Sequence, residues 1–567
     1  MPTVPSANLA DHDWWRRAVV YQVYPRSFHD ANGDGTGDLR GISDALGYLA
    51  RLGVDAVWIS PWYPSPMVDG GYDVADYCDI DPSLGTLDDA AELVNEAHGL
   101  GLRVMVDLVP NHCSDQHPLF QQALAAGPGS PERELFVFRD GLGPDGSQPP
   151  TNWGSLFGGS MWQRVTEPDG RPGQWYCHMF APEQPDWNWA SPRVAQLFDQ
   201  VLRFWFDRGV DGFRIDVADS MALDQSLPDT ELDPATGFGS WRKDAGAPFW
   251  DQPGVEQIHR RWRQIADSYA DSFLGPRVFV AEAHLEPVQR QATYVAEGRL
   301  HTTFNFDHLW CEWSAASQRH MITRTLAAHA EVGAPATWVI GNHDVTRPVS
   351  RYGKPETGWR FDADGRVGEA RFSEDFRRLA TDVELGRRRA RAAALLMLAL
   401  PGVAYIYQGE ELGLPEVEDL PAEVLQDPIW ERSGHTEKGR DGCRVPLPWS
   451  GDEPPYGFGP GGSVPWLPQP DSWAELSVAA QTGVPGSHLE LYRKALAERH
   501  ANPALRGTDL TWDHTDPEVL SFRRGGSVRC LVNFGPQPVP LPEGTVLLAS
   551  ADVGPTVPPD TAVWLTT

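Results

Sequence analysis

The chain has 567 residues, which is too long for a single hydrophobic core and predicts two or three domains. Its 47 basic and 78 acidic residues give a net charge of −31, and such a field should repel nucleic acids and anionic membranes. Because the charges are dispersed, we interpret them as a solubilising surface. The 23 tryptophans favour a carbohydrate ligand, since indole rings stack on the apolar faces of sugars.

Eight short apolar runs are predicted to form β-strands, and helical patterns lie between them. The runs begin at Val19, Ala56, Arg103, Gly212, Arg277, Thr302, Ala336 and Val403. Strands that alternate with helices in this way predict an α/β fold, a (β/α)8 TIM barrel. Nearly every run ends in polar residues, and the active sites of such barrels lie at the carboxyl ends of the strands.

Two stretches interrupt the barrel pattern. About a hundred residues rich in Gly, Pro and Trp separate the third and fourth runs, which is too long for a βα loop. We predict an inserted subdomain over residues 110–185 and assign residues 1–109 and 186–499 to the barrel. Short alternating strands with frequent turn residues predict a C-terminal β-sandwich over residues 500–567.

The first strand is followed by the loop DANGDGTGDLRGI, residues 30–42. Oxygen-bearing side chains fall at every second position, as in the first nine positions of an EF-hand. They belong to Asp30, Asn32, Asp34, Thr36 and Asp38. Gly41 stands where the bidentate Glu should be, and a strand pattern precedes the loop, so we do not expect an EF-hand. We predict a loop that holds Ca²⁺ or Mg²⁺ after a strand, with a solvated Gly/Asp turn as the alternative.

Cysteine usage and apolar runs bear on the cellular location. The six cysteines are scattered without a CxxC pair, which indicates neither a zinc site nor a disulfide framework. Residues 1–15 show no signal-peptide pattern. The longest apolar run, AAALLMLALPGVAYIY, is interrupted by Pro401 and Gly402, and we predict a buried helix followed by a strand. We therefore expect a cytoplasmic protein with no membrane or nucleic-acid partner.

Two predicted strands end in a pattern that suits acid–base chemistry. In GFRIDVA, Arg214 and Asp216 lie two residues apart, so both side chains point into the barrel mouth. The arginine should hold the pKa of the aspartate low, as a carboxylate nucleophile requires, although a structural ion pair has the same pattern. Glu282 ends VFVAEA among small apolar residues, a setting that favours the protonated carboxyl group of a general acid.

Two further strands add polar residues to the same mouth. DLVPNH contains Asp107, Asn111 and His112, and GNHD ends in His343 and Asp344. Each segment alone fits ordinary structure. Together they surround one barrel mouth with carboxylates, histidines and an arginine, without a hydride-cofactor motif. Two carboxylates about 5 Å apart would make the site a retaining glycosidase.

In this order, DLVPNH, GFRID, the AE of VFVAEA and GNHD resemble the segments of the α-amylase superfamily, glycoside hydrolase family 13. The resemblance implies that Asp216 is the nucleophile, Glu282 the general acid/base and Asp344 the stabiliser of the transition state. It also implies that His112, Arg214 and His343 line the same sugar subsite.

Three other segments resemble the α-glucosidase and oligo-1,6-glucosidase branch of this family. They are QPDWNW from Gln184, GGYDVADY around Tyr72 and Asp73, and RDGCRVPLPW around Arg444. In that branch an Asp and an Arg pair at the bottom of the pocket, which implies that Asp73 and Arg444 hold the terminal glucose. The resemblance also makes Tyr72 and Gln184 candidate substrate-binding residues. The branch also carries a DxNxDGxGD loop that binds structural Ca²⁺ or Mg²⁺ away from the reaction.

The resemblance implies an exo-acting, retaining α-glucosidase on short maltose-like α-1,4-glucosides, with a disaccharide or small oligosaccharide as substrate. An oligo-1,6-glucosidase is the alternative, because Val217 after the nucleophile accompanies α-1,6 cleavage in this branch. An α-glucosyltransferase is another, because a sugar can replace water as the acceptor. A sucrose isomerase is disfavoured, since FNFDHLWCEW lacks an RLDR-like loop, and the complete catalytic set disfavours a non-catalytic relative. The oligomeric state stays open.

Overall fold

The computed structural model describes residue 9 and residues 11–234, 236–240, 246–367, 374–513 and 516–567. Most of the amino-terminal stretch that lacks a signal-peptide pattern lies outside the described residues.

Eight parallel strands form the central sheet. They are β1 Val19–Val23, β2 Ala56–Ile59, β3 Arg103–Leu108, β4 Gly212–Ile215, β5 Val278–Ala281, β6 Thr302–Thr303, β7 Thr337–Val339 and β8 Val403–Tyr407. Neighbours pair in the order β7-β8-β1-β2-β3-β4-β5-β6. The Asn305 side-chain amide donates to the Thr337 carbonyl at 2.9 Å, and the Thr337 hydroxyl donates to the Thr303 carbonyl, so side chains bridge the gap between β6 and β7. The predicted barrel is confirmed.

Helices surround the barrel and connect its strands. The longer helices are Leu39–Leu52, Leu87–Gly99, Pro192–Phe206, Pro253–Asp267, Ala315–Glu331, Val383–Ala399 and His488–Ala501. The shorter helices are Pro118–Ala126, Val288–Ala292, Phe306–Leu309, Pro348–Tyr352, Glu374–Arg378, Pro428–Arg432, Val478–Gln481 and Pro503–Arg506. The long apolar run of the sequence forms a helix and β8, as predicted. Among the described residues, none of the helices combines the length and the apolar character needed to cross a membrane.

Side chains alternate between the two faces of each barrel strand. Outward-facing residues such as Val19 and Tyr21 pack in the largest apolar core with the helices. Inward-facing residues form a second core, which includes Val20, Ala56, Trp58, Met105, Val280, Val339 and Tyr405. The next inward positions are Gln22 on β1, Asp107 on β3 and Glu282 after β5. The layer at the carboxyl end of the barrel is therefore polar, above an apolar layer.

Two smaller parts accompany the barrel. Between β3 and β4, a three-stranded antiparallel sheet consists of Phe138–Arg139, Trp162–Thr166 and Pro172–Cys177. The C-terminal region contains a five-stranded antiparallel sheet and a two-stranded sheet. Their strands are Thr511–Trp512, Val519–Arg524, Val528–Asn533, Val539–Pro540, Thr545–Ala549, Thr556–Val557 and Thr561–Thr566. The predicted C-terminal β-sandwich is confirmed. A hairpin of Arg360–Asp362 and Gly365–Val367 follows β7.

Two adjacent glutamates are buried after β8. The Tyr492 hydroxyl donates to Glu410 Oε1 at 2.8 Å, and the Tyr21 and Tyr48 hydroxyls each donate to Glu411 Oε1 at 2.7 Å. Burial raises the pKa of Glu410 from 4.5 to about 8. The folded chain therefore holds a proton that the unfolded chain releases at neutral pH.

We expect this proton to make stability depend on pH. Since the folded pKa of Glu410 is raised, its contribution to stability is complete below the unfolded value of 4.5 and is lost as pH rises towards about 8. Glu410→Gln keeps a neutral side chain, so its melting temperature should fall less steeply over that window. Melting curves between about pH 5 and pH 9 check this, with the exposed Glu423→Gln as control. Parallel curves for the wild type and Glu410→Gln would contradict it.

Candidate active site

One arginine joins three carboxylates at the barrel mouth. Arg214 Nη1 donates to Asp107 Oδ1 and to Asp216 Oδ1, each at 2.7 Å, and Arg214 Nη2 lies 2.8 Å from Glu282 Oε2. Arg214 and Asp216 occupy successive inward positions at the end of β4, and the other two carboxylates come from β3 and β5. The structure therefore brings the predicted nucleophile and the predicted general acid onto one guanidinium.

The environment of Asp216 favours its protonated form in the free site. Burial raises the pKa of Asp216 well above 3.8, and the neighbouring Glu282 raises it further, although Arg214 lowers it. The prediction that Arg214 keeps this pKa low is wrong for the free site, because burial and a second carboxylate outweigh one guanidinium.

The residue after the nucleophile has an unusual backbone. Val217 has φ of 42°, in the left-handed region that β-branched residues rarely adopt. Its N–H donates to Glu282 Oε2 at 3.0 Å. The turn that ends β4 thus stores backbone strain and aims a backbone donor at the acid/base carboxylate.

His343 and Asp344 lie on the opposite side of the mouth, after β7. The imidazole lies between Tyr72, with a centroid separation of 5.3 Å and an interplanar angle of 3°, and Tyr24, with 5.9 Å and 18°. His343 Nε2 is 3.3 Å from Asp344 Oδ2, and His343 Nδ1 is 2.7 Å from Gln22 Nε2. Burial lowers the pKa of His343 to about 3, so the ring is neutral near pH 7.

Asp344 is held as an anion by two arginines. Arg440 Nη1 and Arg444 Nη2 both lie 3.1 Å from Asp344 Oδ1. Burial opposes ionisation, but His343 and the two arginines together hold the pKa of Asp344 well below 3.8. A permanent negative charge therefore faces the mouth opposite the two catalytic carboxyl groups.

Asp69 and Arg440 form a second ion pair beside Asp344. Arg440 Nη2 donates to Asp69 Oδ1 at 2.7 Å, and Arg440 Nε donates to Asp427 Oδ2 at 2.5 Å. With Asp344, this guanidinium contacts three carboxylates. It can therefore hold three acidic side chains together at one side of the mouth.

The predicted pairing of Asp73 with Arg444 is wrong. Asp73 turns back into its own loop, where it accepts hydrogen bonds from the Ser65 hydroxyl and from the backbone N–H groups of Val68 and Asp69. Its carboxylate is thereby occupied, and burial raises its pKa to about 6. Arg444 instead donates to the His343 carbonyl at 2.9 Å and contacts Asp344.

Gln184 and His112 lie beside the Asp69–Arg440 ion pair. Gln184 Nε2 lies 3.2 Å from Asp69 Oδ2 and 3.1 Å from His112 Nε2. His112 Nδ1 lies 3.0 Å from Asn111 Oδ1, and burial lowers the pKa of His112 to about 3. The Tyr72 hydroxyl donates to Asp107 Oδ2 at 3.1 Å. These predicted binding residues therefore belong to one buried network around the mouth.

Sequence reasoning missed three residues of the site. Arg440 opens the RDGCRVPLPW segment, and Asp69 lies directly before GGYDVADY, three positions from Tyr72. The available signal was the presence of a second Asp close to Asp73 and a second Arg close to Arg444. Gln22, on the first strand, gave no signal beyond its inward position.

The predicted metal loop is ordered by its own backbone. Asp30 Oδ1 and Oδ2 accept from the N–H groups of Gly33 and Gly35 at 2.6 and 2.9 Å. Asp38 Oδ2 accepts from the Asn32 N–H at 3.2 Å, while Asp38 Oδ1 caps the following helix through the Gly41 N–H at 2.7 Å. Among the described residues, no Lys or Arg forms an ion pair with Asp30 or Asp38, which are both buried. Two buried carboxylates without a basic partner fit a bound cation.

A second acidic cluster lies beside the acid/base residue. Ligand atoms of His284, Glu286 and Asp307 all lie within 4.8 Å of one another. Arg324 Nη2 already contacts Glu286 at 2.6 Å and Asp307 at 3.8 Å, so a guanidinium balances this cluster. The ring of Trp359 stacks on His284 with a centroid separation of 5.6 Å. This side of the mouth therefore combines polar groups with an aromatic surface.

The comparison with known families agrees with this geometry. The profile described as "Alpha amylase, catalytic domain" matches residues 22–365 and 370–508. The chain belongs to the α-amylase family of glycoside hydrolases. A "Domain of unknown function (DUF3459)" covers residues 506–564, the C-terminal part of this family member. The chain is therefore a glycoside hydrolase, and the predicted family is confirmed.

Similar members of the α-amylase family include glucosidases. A "Probable alpha-glucosidase" of Rhizobium meliloti (strain 1021) is 38% identical over 544 residues, which are 94% of this chain and 91% of that protein. An "Oligo-1,6-glucosidase" of Heyndrickxia coagulans is 33% identical and covers 86% of this chain and 85% of its own.

Solved structures extend the comparison to transfer enzymes. The alpha-glucosyl transfer enzyme XgtA has a TM-score of 0.81 and 36% identity, and the match covers 98% of this chain and 99% of XgtA. An isomaltulose synthase mutant of Erwinia rhapontici NX5, crystallised with sucrose, has a TM-score of 0.81 and 28% identity with the same coverage. Hydrolases and transferases thus share this fold, and small saccharides are ligands of its relatives.

Proposed function

We propose that this chain is an exo-acting, retaining α-glucosidase that releases glucose from the non-reducing end of short α-1,4-glucosides. The observation that carries the proposal is the arrangement of two ion clusters around one mouth. Arg214 holds Asp216 beside Glu282, and Arg440 links Asp69 to Asp344. The first cluster supplies a nucleophile and an acid, and the second closes the pocket behind a terminal sugar.

The chemistry is a double displacement. An Asp216 oxygen attacks the anomeric carbon while Glu282 gives its proton to the glycosidic oxygen, so the C–O bond breaks and a glucosyl ester forms. Glu282 then takes a proton from water, whose oxygen attacks the ester and restores Asp216. Burial and the neighbouring Glu282 favour the protonated form of Asp216 in the free site, so substrate binding must ionise Asp216 before it attacks. The fixed negative charge of Asp344 stabilises the positive charge that develops on the sugar ring.

Substrate linkage is the finer part of the proposal. Initial glucose release from equal concentrations of maltose, isomaltose, sucrose and trehalose, with products separated by chromatography, tests it. We expect maltose to give the highest rate. A preference for isomaltose would replace the proposal with an oligo-1,6-glucosidase. Longer or rearranged sugars in place of glucose would replace it with a transferase, which the similarity to XgtA supports as the second candidate.

The matched variant for linkage is Val217→Thr, which exchanges a methyl group for a hydroxyl group beside the acid/base. Val217 contacts Glu282 through its backbone, so the variant keeps that hydrogen bond. We expect the maltose-to-isomaltose ratio of kcat/KM to change by about tenfold, within the roughly 1–3 kcal/mol that such a difference is worth. An unchanged ratio would show that residue 217 does not determine linkage in this chain.

We also propose that the loop of residues 30–38 binds Ca²⁺ or Mg²⁺ in a structural role. The donor set is made of oxygens, which suits a hard cation, and two of its carboxylates are buried. When bound, the ion would neutralise these carboxylates and stabilise the loop after β1. Asp30, Asn32, Asp34, Thr36 and Asp38 would hold it.

Removal of the ion should lower stability while leaving the chemistry intact. We expect EDTA to lower the melting temperature by several degrees and added Ca²⁺ or Mg²⁺ to restore it. The Asp34→Ala variant, which removes an exposed ligand, should melt at the lower temperature and no longer respond. Equal melting temperatures with EDTA and with either cation would leave the loop as a solvated Gly/Asp turn.

A cytoplasmic location belongs to the same proposal. It is supported by the six cysteines, all of which are free. Fractionation of cells that express the chain, with immunodetection of each fraction, tests it.

A further inference from the structure

Gln22 is a buried polar residue that the proposed mechanism does not use. It occupies the last inward position of β1, and only 1% of its surface is exposed. Its Nε2 lies 2.7 Å from His343 Nδ1 and donates to the Ser60 hydroxyl oxygen at 3.2 Å. Among the described residues, its Oε1 has no hydrogen-bond partner. The amide therefore makes its contacts through the nitrogen, and the stronger contact is to an active-site histidine.

The partners of His343 determine which of its nitrogens carries the proton. An amide nitrogen donates hydrogen bonds and cannot accept them. Gln22 Nε2 lies 2.7 Å from Nδ1, so Nδ1 must be the acceptor. A neutral imidazole has one N–H, which is then on Nε2, the nitrogen that lies 3.3 Å from Asp344 Oδ2. The donor that faces Nδ1 is the amide of Gln22.

We propose that Gln22 is a positioning residue, which holds His343 as the Nε2–H tautomer and so keeps the ring proton on the nitrogen that lies 3.3 Å from Asp344 Oδ2. The proposal rests on the proposed function, because Asp344 acts there as the stabiliser of the transition state. Reversing the amide would put Oε1 against Nδ1, require the Nδ1–H tautomer, and turn a nitrogen lone pair towards the Asp344 carboxylate.

The aromatic rings do not fix the tautomer by themselves. Tyr24 and Tyr72 cover the two faces of the imidazole, which restricts the ring plane but leaves either nitrogen able to carry the proton. Ser60 fixes the second hydrogen of the Gln22 amide and so keeps the nitrogen turned towards His343. The charged groups around the ring are Asp344, Arg444, Arg214 and Arg440. Of these, the Asp344 carboxylate lies 3.3 Å from Nε2.

The test uses the full chain and begins with a measurement that needs no substrate. Long-range proton–nitrogen correlation spectra of histidine-labelled wild type report the tautomer of His343, with His343→Asn identifying its signals. We expect the Nε2–H form. The Nδ1–H form or an imidazolium near pH 7 in the wild type would overturn the proposal, whether or not the chain hydrolyses maltose.

Two substitutions then separate positioning from packing. Gln22→Leu removes the donor, and we expect a mixture of tautomers together with roughly a tenfold to hundredfold fall in kcat/KM. Gln22→Glu places an acceptor against Nδ1, so Nδ1 should become protonated and kcat/KM should gain a dependence on pH near neutrality. If Gln22→Leu does not fold, the spectrum of Gln22→Glu and that of the wild type decide the outcome.

The matched control is Gln291→Leu, which removes another buried barrel glutamine. Gln291 Nε2 donates to the Phe304 carbonyl at 2.9 Å and to the Thr303 hydroxyl oxygen at 3.3 Å, and neither partner is a histidine. We expect it to lose stability and to keep the His343 signals of the wild type. An unchanged tautomer and kcat/KM in Gln22→Leu would overturn the proposal. If the wild type shows the expected tautomer but releases no glucose, the proposed function fails and the assignment of Gln22 to this histidine stands.

Discussion

Asp216→Asn is expected to lower kcat for glucose release by roughly four orders of magnitude or more while leaving the fold intact. The amide is nearly the same size as the carboxyl group, and its oxygen can still accept from Arg214 Nη1, which now lies 2.7 Å from Asp216 Oδ1. An amide cannot form the glucosyl ester, so the first step of the double displacement is lost. Initial rates and melting temperatures of the wild type and the variant check both parts of this expectation.

Glu282→Gln provides the comparison that separates a nucleophile from an acid. A substrate whose leaving group needs no proton should partly restore the first step in Glu282→Gln and should not restore it in Asp216→Asn. Asp107→Asn is the matched control, because Asp107 contacts the same guanidinium at 2.7 Å but is enclosed by Trp58 and Tyr72. We expect it to affect stability more than chemistry. If Asp216→Asn retained more than about one hundredth of the wild-type kcat, Asp216 would not be the nucleophile.

Separating Asp69 from Arg440 is expected to raise KM by about tenfold to a hundredfold. Arg440 contacts Asp69 at 2.7 Å, Asp344 at 3.1 Å and Asp427 at 2.5 Å, so these groups form one buried network. Removing one partner leaves a buried charge uncompensated and loosens the wall that holds the terminal sugar. A double-mutant cycle with Asp69→Asn and Arg440→Gln measures the coupling. We expect the double variant to lose less than the sum of the single variants.

Asp73→Asn is the control for this cycle, because sequence reasoning placed Asp73 in the position that Asp69 occupies. Its carboxylate accepts from Ser65 and from two backbone N–H groups, so its loss should lower the melting temperature with little change in KM. A large rise in KM for Asp73→Asn, combined with additive effects of Asp69→Asn and Arg440→Gln, would contradict the proposed role of the Asp69–Arg440 ion pair in holding the terminal sugar.

The residue spacing on β4 predicted a contact between two side chains, but it did not predict the pKa of Asp216. The spacing of Arg214 and Asp216 on β4 correctly predicted their contact, because side chains two apart on a strand share a face. It did not predict the pKa of Asp216, which depends on burial and on Glu282 from another strand. This pKa is a property of groups that meet in space, and no segment of the chain encodes it alone.

The choice of partners in the Asp69–Arg440 ion pair likewise depends on the tertiary structure. Asp69 and Arg440 are 371 residues apart, and each has another residue of its own kind a few positions away. Loop conformation decided between them, since Asp73 satisfies the N–H groups of its own turn and leaves Asp69 to face the arginine.

By itself, the sequence determined the eight barrel strands, the C-terminal sheets and the polar residues at the strand ends. These features follow from the alternation of side chains along a strand and from the burial of apolar faces, and both are local. Only the folded chain shows which carboxylate meets which arginine, why the pKa of Asp216 is raised and that Gln22 faces His343. Those outcomes depend on distances between distant segments and on burial, and electrostatic energies change steeply with both.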